Sequence, residues 1–89
     1  MTRLQIRYTG HVQGVGFRAT FAQAAEGFDV TGFVRNDPDG AVTAEVQGQP
    51  DALAELLAIV RERMSVNIKS ETQSPMAART DERTFAIRR

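Results

Sequence analysis

The chain contains no cysteine and a single histidine, His11, and ten of its eleven basic residues are arginine. Without cysteine there is no disulfide framework, no thiol nucleophile and no thiolate metal site. One histidine argues against a histidine-built metal centre, so neither a metal nor a cofactor is expected. Neither sign of charge is in excess, since 11 Lys and Arg face 11 Asp and Glu. A general nucleic-acid binder would need a basic surface, and that class is set aside. No apolar run approaches membrane-spanning length, and Met1–Ile6 alternates in polarity where a leader would be continuously apolar. The expectation is therefore a soluble, cytoplasmic protein with no membrane partner. No repeat, low-complexity tract or linker divides residues 1–89, which are expected to form one domain around one modest core.

The most informative stretch runs Gly10-His11-Val12-Gln13-Gly14-Val15-Gly16-Phe17-Arg18. It follows an alternating strand pattern and leads straight into a helical one. The first N–H groups of a helix have no internal partner and lie at the positive end of its dipole. Glycines just ahead of them let the backbone approach a ligand closely. Such a place binds anions, phosphate above all. Arg18 adds a planar fork of donors that matches phosphate oxygens. The loop from Gln13 through Gly14, Val15, Gly16 and Phe17 to Arg18 is thus read as a phosphate cradle.

The rest of the chain supplies a frame for it. Leu4, Ile6 and Tyr8 alternate with Arg3, Gln5 and Arg7 as in a half-buried strand. Phe21, Ala24, Ala25 and Phe28 recur at helical spacing from Arg18 to Glu26, and Gly27 reads as a helix stop. Val30–Asn36 forms a second strand, and Asp37-Pro38-Asp39-Gly40 a hairpin turn. Val42, Ala44 and Val46 mark a third strand ending at Gly48. Pro50 suits a helix's first turn, and Leu53, Leu56, Leu57 and Val60 form its apolar stripe. Val66 and Ile68 suggest a fourth strand starting near Ser65, Ser74 to Glu82 reads as loop, and Thr84–Arg88 as a short fifth, closing strand. This order, βαββαβ, implies two helices covering one face of a sheet: a two-layer α/β sandwich.

Two local likenesses are misleading. Gly14-Val15-Gly16-Phe17-Arg18-Ala19 fits the dinucleotide-binding pattern G-x-G-x-x-A, with Asp37 and Asp39 downstream. The chain is too short for that fold, however, and its next two strands are joined by a tight hairpin. Gly14 to Phe21 also approaches an RNA-recognition motif, but the leading basic residue is missing and Val15 stands where an aromatic belongs.

A second motif changes the weighing. Gly32-Phe33-Val34-Arg35-Asn36, followed by Asp39-Gly40-Ala41-Val42, places Asn36 at a strand end, 18 residues after Arg18. With both motifs in view, the sequence resembles the acylphosphatase family. G-x-V-Q-G-V-G-F-R appears whole as Gly10 to Arg18, and G-[FW]-V-x-N-x-x-D-G-x-V as Gly32 to Val42. The resemblance implies the ferredoxin-like sandwich with an antiparallel sheet. It implies hydrolysis of the carboxyl–phosphate anhydride of a small acyl phosphate to carboxylate and phosphate, by a metal-independent monomer. Arg18 would bind the phosphoryl oxygens with the loop amides, and Asn36 would orient the attacking water. The competing expectation is a catalytically idle module of the same fold that binds an anion or a protein.

Without the resemblance, Arg18 reads as a solvated or ion-paired helix residue, and Asn36 as a turn initiator bonding its own backbone. His11 occupies a variable motif position and reads as a solvated loop residue. Arg35 is expected on a solvated strand face, Phe33 in packing, and Arg88-Arg89 as a solvated tail. The family usually leaves its first helix through a glycine at the position of Asp29, whereas here Gly27 precedes it. Asp tolerates the left-handed conformation, so only a local change at the helix exit is expected.

Overall fold

A computed structural model describes residues 1–89. The alternation around Ile6 becomes strand β1, Thr2–Gly10, which turns Ile6 and Tyr8 into the core and Arg3 and Arg7 to the other face. It is followed by α1 (Phe17–Ala25), β2 (Thr31–Asn36), β3 (Val42–Gly48), α2 (Pro50–Arg63), β4 (Ile68–Met76) and β5 (Phe85–Arg88). The strands lie in the order β4-β1-β3-β2-β5. The first four strands pair antiparallel. β5 lies parallel to β2, in register from Gly32 opposite Phe85 to Arg35 opposite Arg88, so the sheet is mixed rather than wholly antiparallel. The cause is topological: the chain leaves β4 at one edge and must cross to the other before it can pair again.

Both helices cover one face. Phe21, Ala24 and Ala25 of α1 and Leu53, Leu56, Leu57 and Val60 of α2 close over Ile6, Tyr8, Val34, Val42, Ala44 and Val46. Burying each large side chain contributes roughly 1.5–3 kcal/mol, which makes this layer the main stabilising element. α2 starts on Pro50, has Asp51 in its first turn and Arg61 and Arg63 in its last, all matched to the helix dipole.

The opposite face is polar and partly closed by the crossover from β4 to β5. The side-chain amide of Gln47 donates to the carbonyl of Arg79 and accepts from its N–H, both at 2.7 Å. Beneath this strap the Arg3 guanidinium is fully buried between Glu45 and Glu82.

Three local expectations are corrected. Val66 lies in the turn after α2, almost wholly exposed, and β4 starts at Ile68. Ser74, Pro75 and Met76 belong to β4 rather than to a loop, opposite Gln5, Leu4 and Arg3. The exit of α1 needs no left-handed residue: Glu26 caps it in the right-handed region, and neither Gly27 nor Asp29 has positive φ.

Candidate active site

The site is assembled where β1 runs into α1. Gly14 and Gly16 take φ of 76° and 77°, a region open to glycine at little cost. Gly16 is itself the N-cap of α1, and no side chain caps the helix. Its first turn also lacks an acidic residue. Thr20 is the first residue of the helix whose N–H is bonded, to the carbonyl of Gly16 at 2.9 Å. The N–H groups from Val12 to Ala19 donate to no acceptor within the protein. A run of free amides through left-handed turns into a helix N-terminus forms a concavity of positive potential.

Two anchors hold this loop. At its start the His11 N–H donates to the Asn67 carbonyl at 3.0 Å. In its middle the Gln13 side-chain amide donates to the carbonyls of Asp37 and Ala41, at 2.7 and 2.9 Å. One side chain thereby fastens the glycine loop to the β2–β3 hairpin, and so to the end of the strand that carries Asn36. The hairpin is itself rigid. The Gly40 N–H donates to the Asp37 carbonyl, and Asp37 accepts from Arg35 at 3.0 Å and from Thr43. Burial disfavours the charge on Asp37, but the Thr43 hydroxyl and Arg35 outweigh it and hold its carboxyl below the ordinary value.

A cavity of about 250 Å³ opens between these elements, lined by Gly14, Gly16, Phe17, Arg18, Asn36 and, from the end of the chain, Ile87 and Arg89. Arg18 and Asn36, 18 residues apart in sequence, therefore face one space. Arg18 is half-exposed and pairs with no carboxylate; its Nη1 donates to the carbonyl of Arg88 at 2.9 Å. Asn36 does not initiate the hairpin. That work falls to Asp37 and Asp39, the latter accepting from the Ala41 N–H at 3.1 Å, and Asn36 lines the cavity.

Of the residues singled out in the sequence, Gly14, Gly16, Phe17, Arg18 and Asn36 come together at the cavity wall. Gln13 and Val15 do not line it. Gln13 braces the hairpin, and Val15 packs partly against the core. Their backbone amides are nonetheless among the free ones. His11 is exposed, as expected for a loop residue. The closing strand expected over Thr84–Arg88 is present as Phe85–Arg88, but Arg88 and Arg89 are no solvated tail: the Arg88 guanidinium lies 3.7 Å over the ring of Phe33, and Arg89 lines the cavity. The alternation of Phe85 and Ile87 with Ala86 and Arg88 was the available signal.

A ferredoxin-like sandwich whose first strand–helix junction is a free-amide loop, facing an asparagine at the end of the neighbouring hairpin, defines a narrow class. The acylphosphatase family profile matches residues 4–87, and the chain belongs to that family. An acylphosphatase of Geobacillus kaustophilus (strain HTA426) is 36% identical over 88 residues, covering 98% of this chain and 94% of that protein. One from Salinibacter ruber (strain DSM 13855 / M31) is 50% identical over 60 residues, covering 67% of this chain and 63% of that protein. The chain spans just under two thirds of the length of the Salinibacter relative and of one from Thiobacillus denitrificans, at 63% and 65%. The fold matches the crystal structure of acylphosphatase from Bacillus subtilis with a TM-score of 0.89 and 24% identity, each chain covered in full. It also matches 12% of the chain of T. kodakarensis HypF, with a TM-score of 0.86 and 21% identity over all of this chain.

Proposed function

We propose that this protein is an acylphosphatase: a hydrolase that cleaves the carboxyl–phosphate anhydride of a small acyl phosphate to carboxylate and inorganic phosphate. The observation that carries the proposal is the meeting of Arg18, Asn36 and the free-amide loop around one cavity. Residues 1–89 act in it as one monomeric catalytic domain, in the cytoplasm and without a metal cofactor. No helix is long and apolar enough to cross a membrane.

The chemistry asks for few parts. Transfer of a phosphoryl group needs positioning and stabilisation of charge on its equatorial oxygens. The amides of Gln13 to Arg18 and the Arg18 guanidinium take that charge, fixed in place before the reaction begins. Asn36 orients the attacking water through its side-chain oxygen or nitrogen. The bond from phosphorus to the acyl oxygen breaks, and the carboxylate leaves with the electron pair. A carboxylate is a weak base, so no general acid need protonate it. The water's proton passes to an oxygen of the substrate's own phosphate.

Hydrolysis of benzoyl phosphate with a chelator present tests this. Loss of one preorganised group costs on the order of 10²–10³ in rate, so Arg18→Gln and Asn36→Ala should each fall by about that much while staying folded. A folded wild type that does not exceed the uncatalysed rate would overturn the enzyme and leave the idle binding module.

A further inference from the structure

We propose that Arg88 is a positioning residue for Arg18, held in that role by the ring of Phe33. The proposal rests on the reading of Arg18 as the phosphate ligand.

Arg18 is a half-exposed residue, and its one protein hydrogen bond is the 2.9 Å contact to the Arg88 carbonyl. A guanidinium has five N–H donors in a fixed plane. Spending one of them sideways on a fixed carbonyl sets the direction of the remaining fork, which is what bidentate recognition of phosphate requires. The orientation of Arg18 is then only as good as the placement of that carbonyl.

The carbonyl belongs to the least secure strand of the sheet. β5 has four residues, lies at an edge and pairs with β2 alone. It is pinned from both faces. On the helix side Phe85 stacks on Phe21, with ring centroids 5.4 Å apart and planes 18° apart. On the other side the Arg88 guanidinium lies 3.7 Å from the ring centre of Phe33, with Arg35 a second cation at 5.5 Å. A cation placed over a ring face at that distance is an attractive contact, and here it also covers the ring, leaving Phe33 only 3% exposed. Arg88 therefore joins two sides of the sheet: its side chain grips an aromatic on the outer face, and its carbonyl steers the arginine of the cavity.

A merely structural Arg88, covering Phe33, would affect melting temperature and nothing else once the protein is folded. A positioning Arg88 acts through Arg18, and the two cases separate in kinetics. Steady-state hydrolysis of benzoyl phosphate and its inhibition by inorganic phosphate should be compared for wild type, Arg88→Ala and Arg88→Lys. The same substitutions are then repeated in an Arg18→Gln background. Small displacements of a positioned group cost one to two orders of magnitude, so folded Arg88→Ala should lose about 10-fold in kcat/KM and bind phosphate more weakly. Arg88→Lys, which keeps a cation over the ring, should recover part of the loss. With Arg18→Gln already present, Arg88→Ala should cost nothing more. An equal loss in both backgrounds, or a lowered melting temperature with unchanged kinetics, would overturn the proposal. If Arg88→Ala fails to fold, Phe33→Leu removes the ring face while keeping apolar bulk and is read in the same way. Should the wild type not hydrolyse the substrate, the proposed function fails, and the nitrogen-15 resonances of the Arg18 guanidinium decide the positioning separately. Restricted rotation in wild type that is released in Arg88→Ala supports it; equal mobility in both contradicts it.

Discussion

Arg3 and Arg18 occupy opposite ends of the molecule and opposite faces of its sheet, and their surroundings could hardly differ more. The guanidinium of Arg3 is fully buried and all its directions are taken. It donates to Glu45 at 2.9 Å, to Gln47 at 3.3 Å and to the two oxygens of Glu82 at 2.6 and 3.0 Å. Arg18 lies at the positive end of a helix, has no carboxylate partner and borders a run of amides that are themselves unbonded. A cation set against the dipole and left without a counter-charge is unfavourable on its own. The contrast separates a closed charge cluster, complete in the folded chain, from an open one that an anion would complete. The first stabilises the fold; the second is the phosphate site proposed above.

Substituting the two arginines should have opposite effects. Arg18→Gln should reduce hydrolysis by about 10²–10³ while changing stability by no more than about 0.5 kcal/mol. Arg3→Met should do the reverse. Stripping a buried carboxylate pair of its cation costs about 3–5 kcal/mol, seen as a lower denaturation midpoint, while the folded fraction keeps its kcat/KM. Next in size is the loop. Gly16→Ala forces a side chain into left-handed geometry at the cap of α1, where no neighbouring atom lies within 4 Å of the added carbon. The cost to stability should be about 1 kcal/mol of backbone strain, with a larger loss in phosphate inhibition as the amides turn away.

The pH dependence of stability sharpens the same contrast. The hydrogen bond from Arg3, first among the causes, holds the Glu82 carboxyl below its ordinary value of 4.5. A carboxyl depressed on folding adds stability that is fully present above that value. It is lost as pH falls through the folded value. Glu82→Gln should therefore cost about 2 kcal/mol at neutral pH and flatten the acid limb of melting temperature against pH. At the alkaline end burial pushes the Tyr8 hydroxyl well above its ordinary 10.0. The unfolded chain then ionises first, so stability is complete below pH 10 and declines above it. Tyr8→Phe should remove that decline, worth about 1.4 kcal/mol per pH unit.

How much of this was legible in the sequence depends on how local the encoding is. The glycine loop at the head of α1 was readable because two glycines, an arginine and the onset of a helical pattern lie within nine residues, Gly10 to Arg18. Asn36 stood out only through the resemblance of Gly32–Val42 to the family's second motif, since its strand-end position before a turn reads equally as a turn initiator. The partnership of Gln13 with the hairpin carbonyls was not, since nothing local tells a bracing amide from a ligand-binding one. The end of the chain was harder still. Residues Ile68–Met76 form an edge strand exposed over most of its length, so Lys69-Ser70-Glu71-Thr72 carries no alternation to mark it. Val66, β-branched and apolar, pointed to the wrong place. Arg88 looked like a solvated residue because its partners, Phe33 and Arg18, are distant in the chain and are brought to it only by the parallel pairing of β5 with β2.

The most direct measurement is a titration of the isotope-labelled protein with inorganic phosphate, following every backbone amide. Phosphate should shift chiefly the amides from Val12 to Ala19 and at Asn36 and leave the surroundings of Arg3 unchanged, and the whole pattern should be lost in Arg18→Gln. Shifts spread evenly over the surface, or a wild-type response that survives intact in Arg18→Gln, would contradict the proposed phosphate site.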